Sequence, residues 1–382
     1  MNIAEFSNSF LPVVDGVGRV VVASAEHLAL RGHKVHVFAP SAQMGALDGY
    51  HFTVTTCRAF SMPGKLPYRV GLPGADERFR HALQKTPLDI VHVHDPFPFG
   101  LAGRKLAKRR GLPLVGTFHS KYYDDFRGVF HSDALARFGA AKVADFYGSC
   151  DEVWVVGAGS AQTLQSYGYR GDCVVMGNGA ELRALDPAVL PELRQRFALS
   201  EDEPVLLYVG QLNWKKNILR LMEAASLLAR EGLAFRLMLV GQGPHRQEIE
   251  RKARDLGIEA RLTFAGHLRE TRELDGLYAL ARLFVFPSLY DNAPMVLREA
   301  AAMGTPAVLV AGSQSAECVR DGENGLTCED NAASLAGAMR RALADQGFAE
   351  RLGQAAKATI PVPWSVMAEK MEERYLALAG RR

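Results

Sequence analysis

Two carboxylates stand eight positions apart in the stretch from Tyr290 to Pro306, which reads YDNAPMVLREAAAMGTP. Asp291 follows a strand-like apolar run that stops at Pro287, and Glu299 lies in a helix-like run that stops at Gly304. Carboxylates accept hydrogen bonds from hydroxyl groups, and the N–H groups at a helix start favour anions. The spacing therefore predicts a pocket for a ligand that carries both hydroxyl groups and negative charge.

Histidines follow two other strand-like runs. His92 and His94 precede Asp95, and His119 ends the run Gly116 to Phe118. Three histidines and an acid could ligate a metal, but His92 and His94 alternate with apolar residues, which indicates packed core side chains. We therefore predict no metal site. His119 ends a strand, where a doubly wound fold binds its ligand, so we expect it to be the functional histidine, with a structural role as the alternative.

Two glycine-rich turns and a pair of lysines have the chemistry to meet phosphate. Residues 15–18 (DGVG) lead into a predicted helix, and residues 241–244 (GQGP) form a second such turn. Glycine lets the backbone approach a ligand closely, but neither turn is the G-x-G-x-x-G dinucleotide pattern, so a purely structural turn is an equal alternative. Lys216 follows a strand end and can neutralise a diphosphate, whereas we interpret Lys215 as a solvated surface side chain.

Composition narrows the class of protein. The 382 residues are 48% hydrophobic, which predicts two domains. The charge of +3, from 45 Lys+Arg and 42 Asp+Glu, gives no overall field for nucleic acid. Five cysteines without a C-x-x-C pair argue against disulfides and structural zinc and favour a reducing compartment. With no signal peptide or long apolar run in the sequence, we predict a cytoplasmic location.

Short apolar runs alternate with amphipathic stretches along the chain. This pattern predicts two Rossmann-like, doubly wound α/β domains, which would face each other across a cleft where the carboxyl ends of their strands meet. The predicted strands are 3–6, 34–39, 90–94, 114–118 and 153–156 in the first domain and 204–210, 235–241, 262–265, 283–286 and 307–310 in the second, with helices at 19–31, 101–110, 134–147, 296–303 and 365–378.

Over nearly its whole length the chain resembles glycosyltransferase family 4. The motifs occur in the family's order, and an ordered series is far more specific than any one of them. They are DGV at 15–17, LRGHKVHV at 30–37, DIVHVH at 89–94, TFH at 117–119, GNG at 177–179, YVGQL at 208–212, KN at 216–217, LVGQGP at 239–244, Glu299 to Pro306, and VPW at 362–364.

The resemblance implies a GT-B fold and an enzyme. Residues 1–180, joined by a C-terminal helix at 365–382, would form the acceptor-binding domain, and residues 181–364 the domain that binds a nucleotide-sugar donor. The implied reaction moves a sugar to an acceptor hydroxyl with retention of anomeric configuration. A non-catalytic sugar-nucleotide-binding protein is the alternative from another functional class.

The resemblance also implies roles for particular side chains. Glu299 would bind the donor's ribose, Asp291 the hydroxyls of the transferred sugar, Lys216 the departing diphosphate, and Gly16 would lie beside the phosphates. His119 would orient a sugar hydroxyl or steady positive charge. The implied catalytic residues are His119, Asp291 and Lys216, and the implied donor-binding residues are Gly16, Gln211, Lys216, Asp291, Asn292, Ala293, Met295, Val296 and Glu299.

Four positions depart from the family pattern. Asp291 is one methylene shorter than the usual glutamate, Ala293 and Pro294 replace Phe-Gly, and Gln211 stands where the family has a phosphate-binding arginine. Pro294 has no N–H group to donate. We therefore expect weaker donor binding than in a member with the full pattern.

The substrates are open at this stage. A UDP-sugar is expected ahead of GDP-mannose, with no tightly bound cofactor and no essential divalent metal. Residues 94–99 (HDPFPF) and 117–126 resemble the acceptor side of diacylglycerol and phosphatidylinositol glycosyltransferases. Together with the basic run from Arg104 to Arg110, they favour a membrane-lipid acceptor and peripheral contact with the inner membrane face. A soluble sugar or polysaccharide precursor is the alternative acceptor.

Overall fold

The structure is a computed structural model that describes residues 1–11, 15–40, 49–61, 69–268 and 270–381. The chain divides into two compact units, one formed by Met1–Gly179 with Trp364–Arg382 and the other by Ala180–Pro363. Arg382, at the end of the predicted C-terminal helix, lies outside the described residues.

The first unit is built on a parallel sheet covered by helices. Its strands are β1 (Asn2–Phe6), β2 (Lys34–Pro40), β3 (Thr53–Cys57), β4 (Ala59–Ser61), β5 (Arg69–Gly71), β6 (Ile90–Val93), β7 (Leu114–Phe118), β8 (Glu152–Val155) and β9 (Val174–Val175). Its helices before residue 180 are α1 (Gly16–Leu30), α2 (Glu77–Lys85), α3 (Pro98–Arg110), α4 (Tyr122–Phe130), α5 (Asp133–Tyr147) and α6 (Ala158–Ser166).

The strand order in the first unit explains where its ligand edge lies. Within the described residues the sheet runs β3-β2-β1-β6-β7-β8-β9, and β4 pairs antiparallel with β5 outside it. Every residue of β6 and β7 is buried, because helices cover both faces of a parallel sheet. The order reverses between β1 and β6, so the loops that follow these strands form the unit's topological switch point.

The second unit repeats this design. Its elements are α7 (Val189–Phe197), β10 (Val205–Val209), α8 (Ile218–Arg230), β11 (Arg236–Val240), α9 (Arg246–Asp255), β12 (Leu262–Gly266), α10 (Thr271–Leu280), β13 (Ala281–Phe286), α11 (Met295–Ala302), β14 (Ala307–Val310), β15 (Leu326–Cys328), α12 (Ala332–Ala344) and α13 (Gln346–Thr359). Short 3-10 turns occur at Trp214–Lys216, Glu259–Arg261 and Gln314–Ala316. In the part that is described, its parallel strands run β12-β11-β10-β13-β14-β15, so the order reverses between β10 and β13.

The last helix, α14 (Trp364–Ala379), returns to the first unit and packs on α1. The sequence analysis predicts Trp364 in the second domain, but this residue belongs to the first unit. Its indole lies against Gly179, where a Cβ would come within 2.5 Å of the ring. None of the helices in the described ranges is both long and apolar enough to cross a membrane. The predicted α/β class with two Rossmann-like, doubly wound domains is confirmed.

Candidate functional site

Lys216 and Asp291 meet in the second unit. The ammonium Nζ of Lys216 donates a hydrogen bond to Oδ1 of Asp291 at 2.6 Å. Lys216 ends the 3-10 turn after β10, and Asp291 lies in the loop after β13; because β10 and β13 are neighbours, their loops emerge side by side. Only 14% of the lysine side chain and 20% of the aspartate side chain are exposed. The ion pair thus lies, shielded, at the switch point of this sheet.

The surrounding loop holds this ion pair in place. Ser288 Oγ donates to Asp291 Oδ2 at 2.5 Å, and Ser315 Oγ donates to the Asp291 backbone carbonyl at 2.9 Å. The ring of Tyr290 lies 5.0 Å from Lys216 Nζ, within the range of a cation–π contact. Both carboxylate oxygens of Asp291 therefore have donors, and the two charges form a preorganised site.

The start of α11 lies directly beyond this loop. Pro294 precedes the helix, and within the described residues no side chain caps its N-terminus and no acid occupies its first turn. The first N–H groups of a helix, here those of Met295 and Val296 onward, have no intrahelical acceptor. Together with the helix dipole, these amides make the end of α11 favourable for an anion.

Glu299 lies in the second turn of α11 and is only 5% exposed. The hydroxyl of Tyr278, a buried residue of α10, donates to Glu299 Oε2 at 3.3 Å. A buried carboxylate is costly unless hydrogen-bond donors compensate it. Tyr278 is one such donor, and it holds one carboxylate oxygen of Glu299 in a fixed position.

Three further predicted residues line the same two loops of the second unit. Asn292 is buried and Ala293 partly exposed, both between Asp291 and the start of α11. Gln211 is exposed two residues after β10, and the Tyr208 hydroxyl donates to its backbone carbonyl at 3.0 Å. Gln211 has no charge, whereas Lys216, in the same loop, places its cation against Asp291.

The glycines of the second turn have a structural explanation. A Cβ on Gly241 would collide with the carbonyl oxygen of Gly210, and one on Gly243 with that of Leu212. Gly241 also has a φ of 132°, which side chains disfavour, and Leu212 N donates to the Gln242 carbonyl at 3.0 Å. These glycines let two loops pack tightly at the end of β10, so their role is to position that loop.

Gly16, in the first unit, has no described neighbour that would exclude a side chain. It is the exposed first residue of α1, where Asp15 caps the helix by accepting from Gly18 N at 2.8 Å. A Cβ on Gly16 would meet no described atom within 4 Å, and its φ lies outside the left-handed region. The described fold therefore has room for a side chain at this position, which suits close approach by a ligand.

His119 follows β7 in the first unit and is partly exposed. Its Nε2 is hydrogen-bonded to His94 Nδ1 at 3.1 Å, with the two rings nearly parallel. Burial, and then the charge of His94, hold the pKa of His119 well below its ordinary value. A neutral imidazole has one donor and one acceptor nitrogen, so His119 can orient a hydroxyl group at physiological pH.

His92 and Arg110 make hydrogen bonds within the first unit. His92 is the packed, hydrogen-bonded histidine that the sequence predicts: its ring nitrogens contact Tyr375 Oη and Thr117 Oγ1, each at 2.7 Å. Arg110 donates to the backbone carbonyls of Leu83 and Thr86 at the end of α2. Within the basic run, Lys105, Lys108 and Arg109 are exposed.

The structure thus places Gly16 and His119 in the first unit and the other predicted site residues in the second. The sequence analysis missed Ser288, Tyr278 and Ser315, which hold the two acids. Ser288 could have been found, because a serine three positions before an aspartate in a turn commonly bonds to it. Tyr278 and Ser315 contact the site through tertiary packing, which has no local signal.

Comparisons with known proteins identify the family of this chain. Residues 14–183 match Glycosyltransferase Family 4, and residues 190–359 match Glycosyl transferases group 1. A GDP-mannose-dependent alpha-mannosyltransferase of Mycolicibacterium smegmatis is 25% identical over 100% of this chain and 99% of its own length. The alpha-monoglucosyldiacylglycerol synthase of Streptococcus pneumoniae is 24% identical over 81% of this chain and 70% of its own.

Solved structures share the fold. The structure of Anabaena HepE in complex with UDP-glucose superposes with a TM-score of 0.79 at 18% identity, covering 99% of this chain and 100% of that one. The predicted GT-B class is therefore confirmed. The protein is a glycosyltransferase that belongs, by its first half, to Glycosyltransferase Family 4 and, by its second, to the group 1 glycosyl transferases.

Proposed function

We propose that this glycosyltransferase holds a nucleoside diphosphate sugar on its second unit through Lys216, Asp291, Glu299 and the start of α11, and transfers the sugar with retention. The observation that carries the proposal is the shielded Lys216–Asp291 pair next to a helix start without a capping side chain in the described structure. A cation and helix-start amides suit a diphosphate, and carboxylates suit the hydroxyls of a sugar and a ribose.

Lys216 carries the leaving-group chemistry in this proposal. As the bond to the sugar breaks, negative charge grows on the diphosphate, and a fixed cation in a shielded site stabilises that charge. Asp291 keeps Lys216 in position through the 2.6 Å contact, while its carboxylate accepts from sugar hydroxyls. Ser288 fixes the second oxygen, so the binding of sugar requires little rearrangement of this carboxylate.

Glu299 is proposed to accept hydrogen bonds from the ribose. Tyr278 fixes one carboxylate oxygen, and two ribose hydroxyls on adjacent carbons suit a carboxylate held rigidly by a helix. The main-chain amides of residues 292–296, including those of Asn292, Ala293, Met295 and Val296, are proposed to bind the donor's charged and hydroxyl groups. Gln211 would contribute a neutral side chain where a cation would bind more strongly.

For the first unit we propose the roles that the family likeness implies. Neutral His119 orients a hydroxyl of the transferred sugar, and Gly16 permits close backbone approach to the phosphates. Retention is supported by the match to Glycosyltransferase Family 4 and means that the acceptor hydroxyl attacks from the face the diphosphate leaves. Catalysis then depends on placement and on electrostatic stabilisation of the leaving group.

The donor base and the acceptor are proposed from different observations. One relative is named for GDP-mannose and HepE was solved with UDP-glucose, so these observations support either base. We propose a UDP-sugar because the family resemblance in the sequence favours it, with GDP-mannose as the alternative. A lipid acceptor at a membrane surface is supported by the diacylglycerol-using relative. It is also supported by exposed apolar side chains on α4 and α5, namely Val129, Phe130, Leu135 and Phe138. The nearby basic residues Arg127, Arg137 and Lys142 are each paired with an aspartate, so the apolar side chains carry this support.

A transfer and hydrolysis screen tests the proposal. The full chain is incubated with UDP- and GDP-sugars and with diacylglycerol, phosphatidylinositol or soluble sugar acceptors, with and without EDTA. We expect nucleoside diphosphate release that EDTA does not abolish, a product with the donor's anomeric configuration by NMR, and loss of release in Glu299→Ala. No release from any donor, or a Glu299→Ala variant as active as the wild type, would sink the proposal.

A further inference from the structure

A polar patch lies within the first unit where apolar side chains are expected. Glu5, His92 and Thr117 project from β1, β6 and β7 on one face of the sheet, and each is at most 5% exposed. Glu5 and His92 are register partners, and His94 follows two residues later on the same face. Parallel strands covered on both faces are usually apolar throughout, so buried acid and imidazole side chains here need an explanation.

A shared cation does not explain the patch. Ligand atoms of Glu5, His92 and His94 lie within 4.8 Å of one another, close enough in distance. Both nitrogens of His92, however, already have hydrogen-bond partners at 2.7 Å, in Tyr375 and Thr117. With His92 committed to these partners, the group is better described as a hydrogen-bond network.

One end of this network reaches His119. His94 Nδ1 bonds to His119 Nε2 at 3.1 Å. At the other end, His94 Nε2 is buried and has no hydrogen-bond partner among the described residues, while Glu5 Oε2 lies 3.6 Å away. A buried unpaired nitrogen is costly, and an approach of roughly 0.6 Å would make the bond.

A small cavity lies beside the histidines of this network. A cavity of about 20 Å³, enough for roughly one water molecule, is lined by Ser24, His92, His94 and His119 among others. Ser24 of α1 donates to the Glu5 carboxyl at 3.0 Å, which keeps that group beside His94. Glu5, His94 and His119 therefore lie in a row in which the His94–His119 hydrogen bond is formed and the Glu5–His94 contact, at 3.6 Å, is not.

The protonation states of Glu5, His94 and His119 bear on which of these groups donates each hydrogen bond. Burial raises the pKa of Glu5 to about 8 and lowers the pKa of His94 to about 3. At neutral pH Glu5 is thus mainly a carboxylic acid, and the imidazoles of His94 and His119 are uncharged. A neutral Glu5 has one O–H to donate. If this O–H is directed at His94 Nε2, His94 must carry its proton on Nδ1 and donate to His119 Nε2, whereas a proton on His94 Nε2 would be donated to the Glu5 carbonyl oxygen and would reverse the order; the inference takes the first arrangement.

We infer that Glu5 and His94 are positioning residues that fix His119 as the tautomer protonated on Nδ1, so that this nitrogen donates a hydrogen bond to a substrate oxygen. The tautomer of a histidine is set by the bond that its other nitrogen makes. The inference rests on the proposed function for the role of His119 in transfer, but the tautomer itself is a property of the first unit alone.

Nitrogen NMR of the full chain with ¹⁵N-labelled histidine tests the inference at pH 7. His119→Asn identifies the His119 signals, and exposed His131 serves as an internal reference. We expect His119 to show a protonated Nδ1 and an unprotonated Nε2. Glu5→Gln, which keeps a donor, should retain this tautomer, whereas Glu5→Met should give a mixture of both.

The kinetic arm separates this inference from the proposed function. We expect Glu5→Met to lower kcat roughly tenfold or more with little change in the donor KM, as for groups that orient a histidine, and Glu5→Gln to restore most of that loss. An Nε2-protonated His119 in the wild type, or an unaltered tautomer in folded Glu5→Met, would overturn the inference. The wild-type spectrum decides the question even if Glu5→Met does not fold. A normal kcat in His119→Asn would instead remove the catalytic role and leave the tautomer result standing.

Discussion

Replacing Lys216 by methionine should cripple transfer without unfolding the protein. The lysine is 14% exposed, and its Nζ donates to Asp291 at 2.6 Å, so its charge acts in a shielded site. A charge-assisted hydrogen bond to phosphate is worth about 1.5–3 kcal/mol, or roughly ten- to hundredfold in donor affinity. Stabilisation of charge in the transition state adds about 10²–10³-fold in kcat. We therefore expect kcat/KM to fall at least about a thousandfold, measured as nucleoside diphosphate release.

Lys215→Met is the matched control. Lys215 is the adjacent residue and carries the same charge, but it is exposed and lies 5.5 Å from the Tyr290 ring instead of pairing with Asp291. This variant should retain kcat/KM within about threefold, since an exposed charge is screened by solvent. Thermal unfolding of both variants checks folding. Equal losses in the two variants, or a folded Lys216→Met with near-normal kcat/KM, would refute the assignment of leaving-group stabilisation to Lys216.

Three further variants test other parts of the account. Gln211→Arg should tighten donor binding about tenfold by adding a cation to the loop after β10, and an unchanged Kd from calorimetry would contradict this. Asp291→Glu lengthens an acid whose two oxygens are already bonded, so it should alter the relative kcat/KM for different nucleotide sugars; an unchanged donor profile would reject a role in donor choice. Glu5→Gln should flatten a loss of stability between about pH 4.5 and pH 8. Burial raises the folded-state pKa of Glu5 to about 8, so the unfolded chain ionises first and the free energy of unfolding falls across this range, by at most about 5 kcal/mol. Parallel Tm-against-pH curves for the wild type and Glu5→Gln would count against that reasoning.

The central strands could be predicted from the sequence because their signal is local. The runs at β1, β6, β7, β10 and β13 are mostly apolar, since helices cover both faces of their sheets. The sequence analysis missed β3, β4, β5, β9 and β15. These strands have two to five residues and lie at sheet edges or outside the main sheets, where pairing depends on neighbours and not on pattern.

Part of the candidate site could likewise be predicted from local sequence, and part could not. Asp291, Lys216 and His119 could be identified because each follows a strand-like run at a place where parallel sheets bind ligands. Their partners could not: Lys216 and Asp291 are 75 positions apart, and Glu5 and His94 are 89 apart, so only the pairing of β10 with β13 and of β1 with β6 brings them together. The roles of these side chains in transfer remain predictions.

Nucleotide binding tests the central claim most directly, because it needs no acceptor. Calorimetry with UDP and with GDP should show that the full wild-type chain binds one of them. Glu299→Gln should weaken that binding about tenfold or more, because ribose hydroxyls lose a charged acceptor, while Lys215→Met should not. If neither nucleotide binds, or if a folded Glu299→Gln variant binds as tightly as the wild type, the donor site does not lie where this account places it.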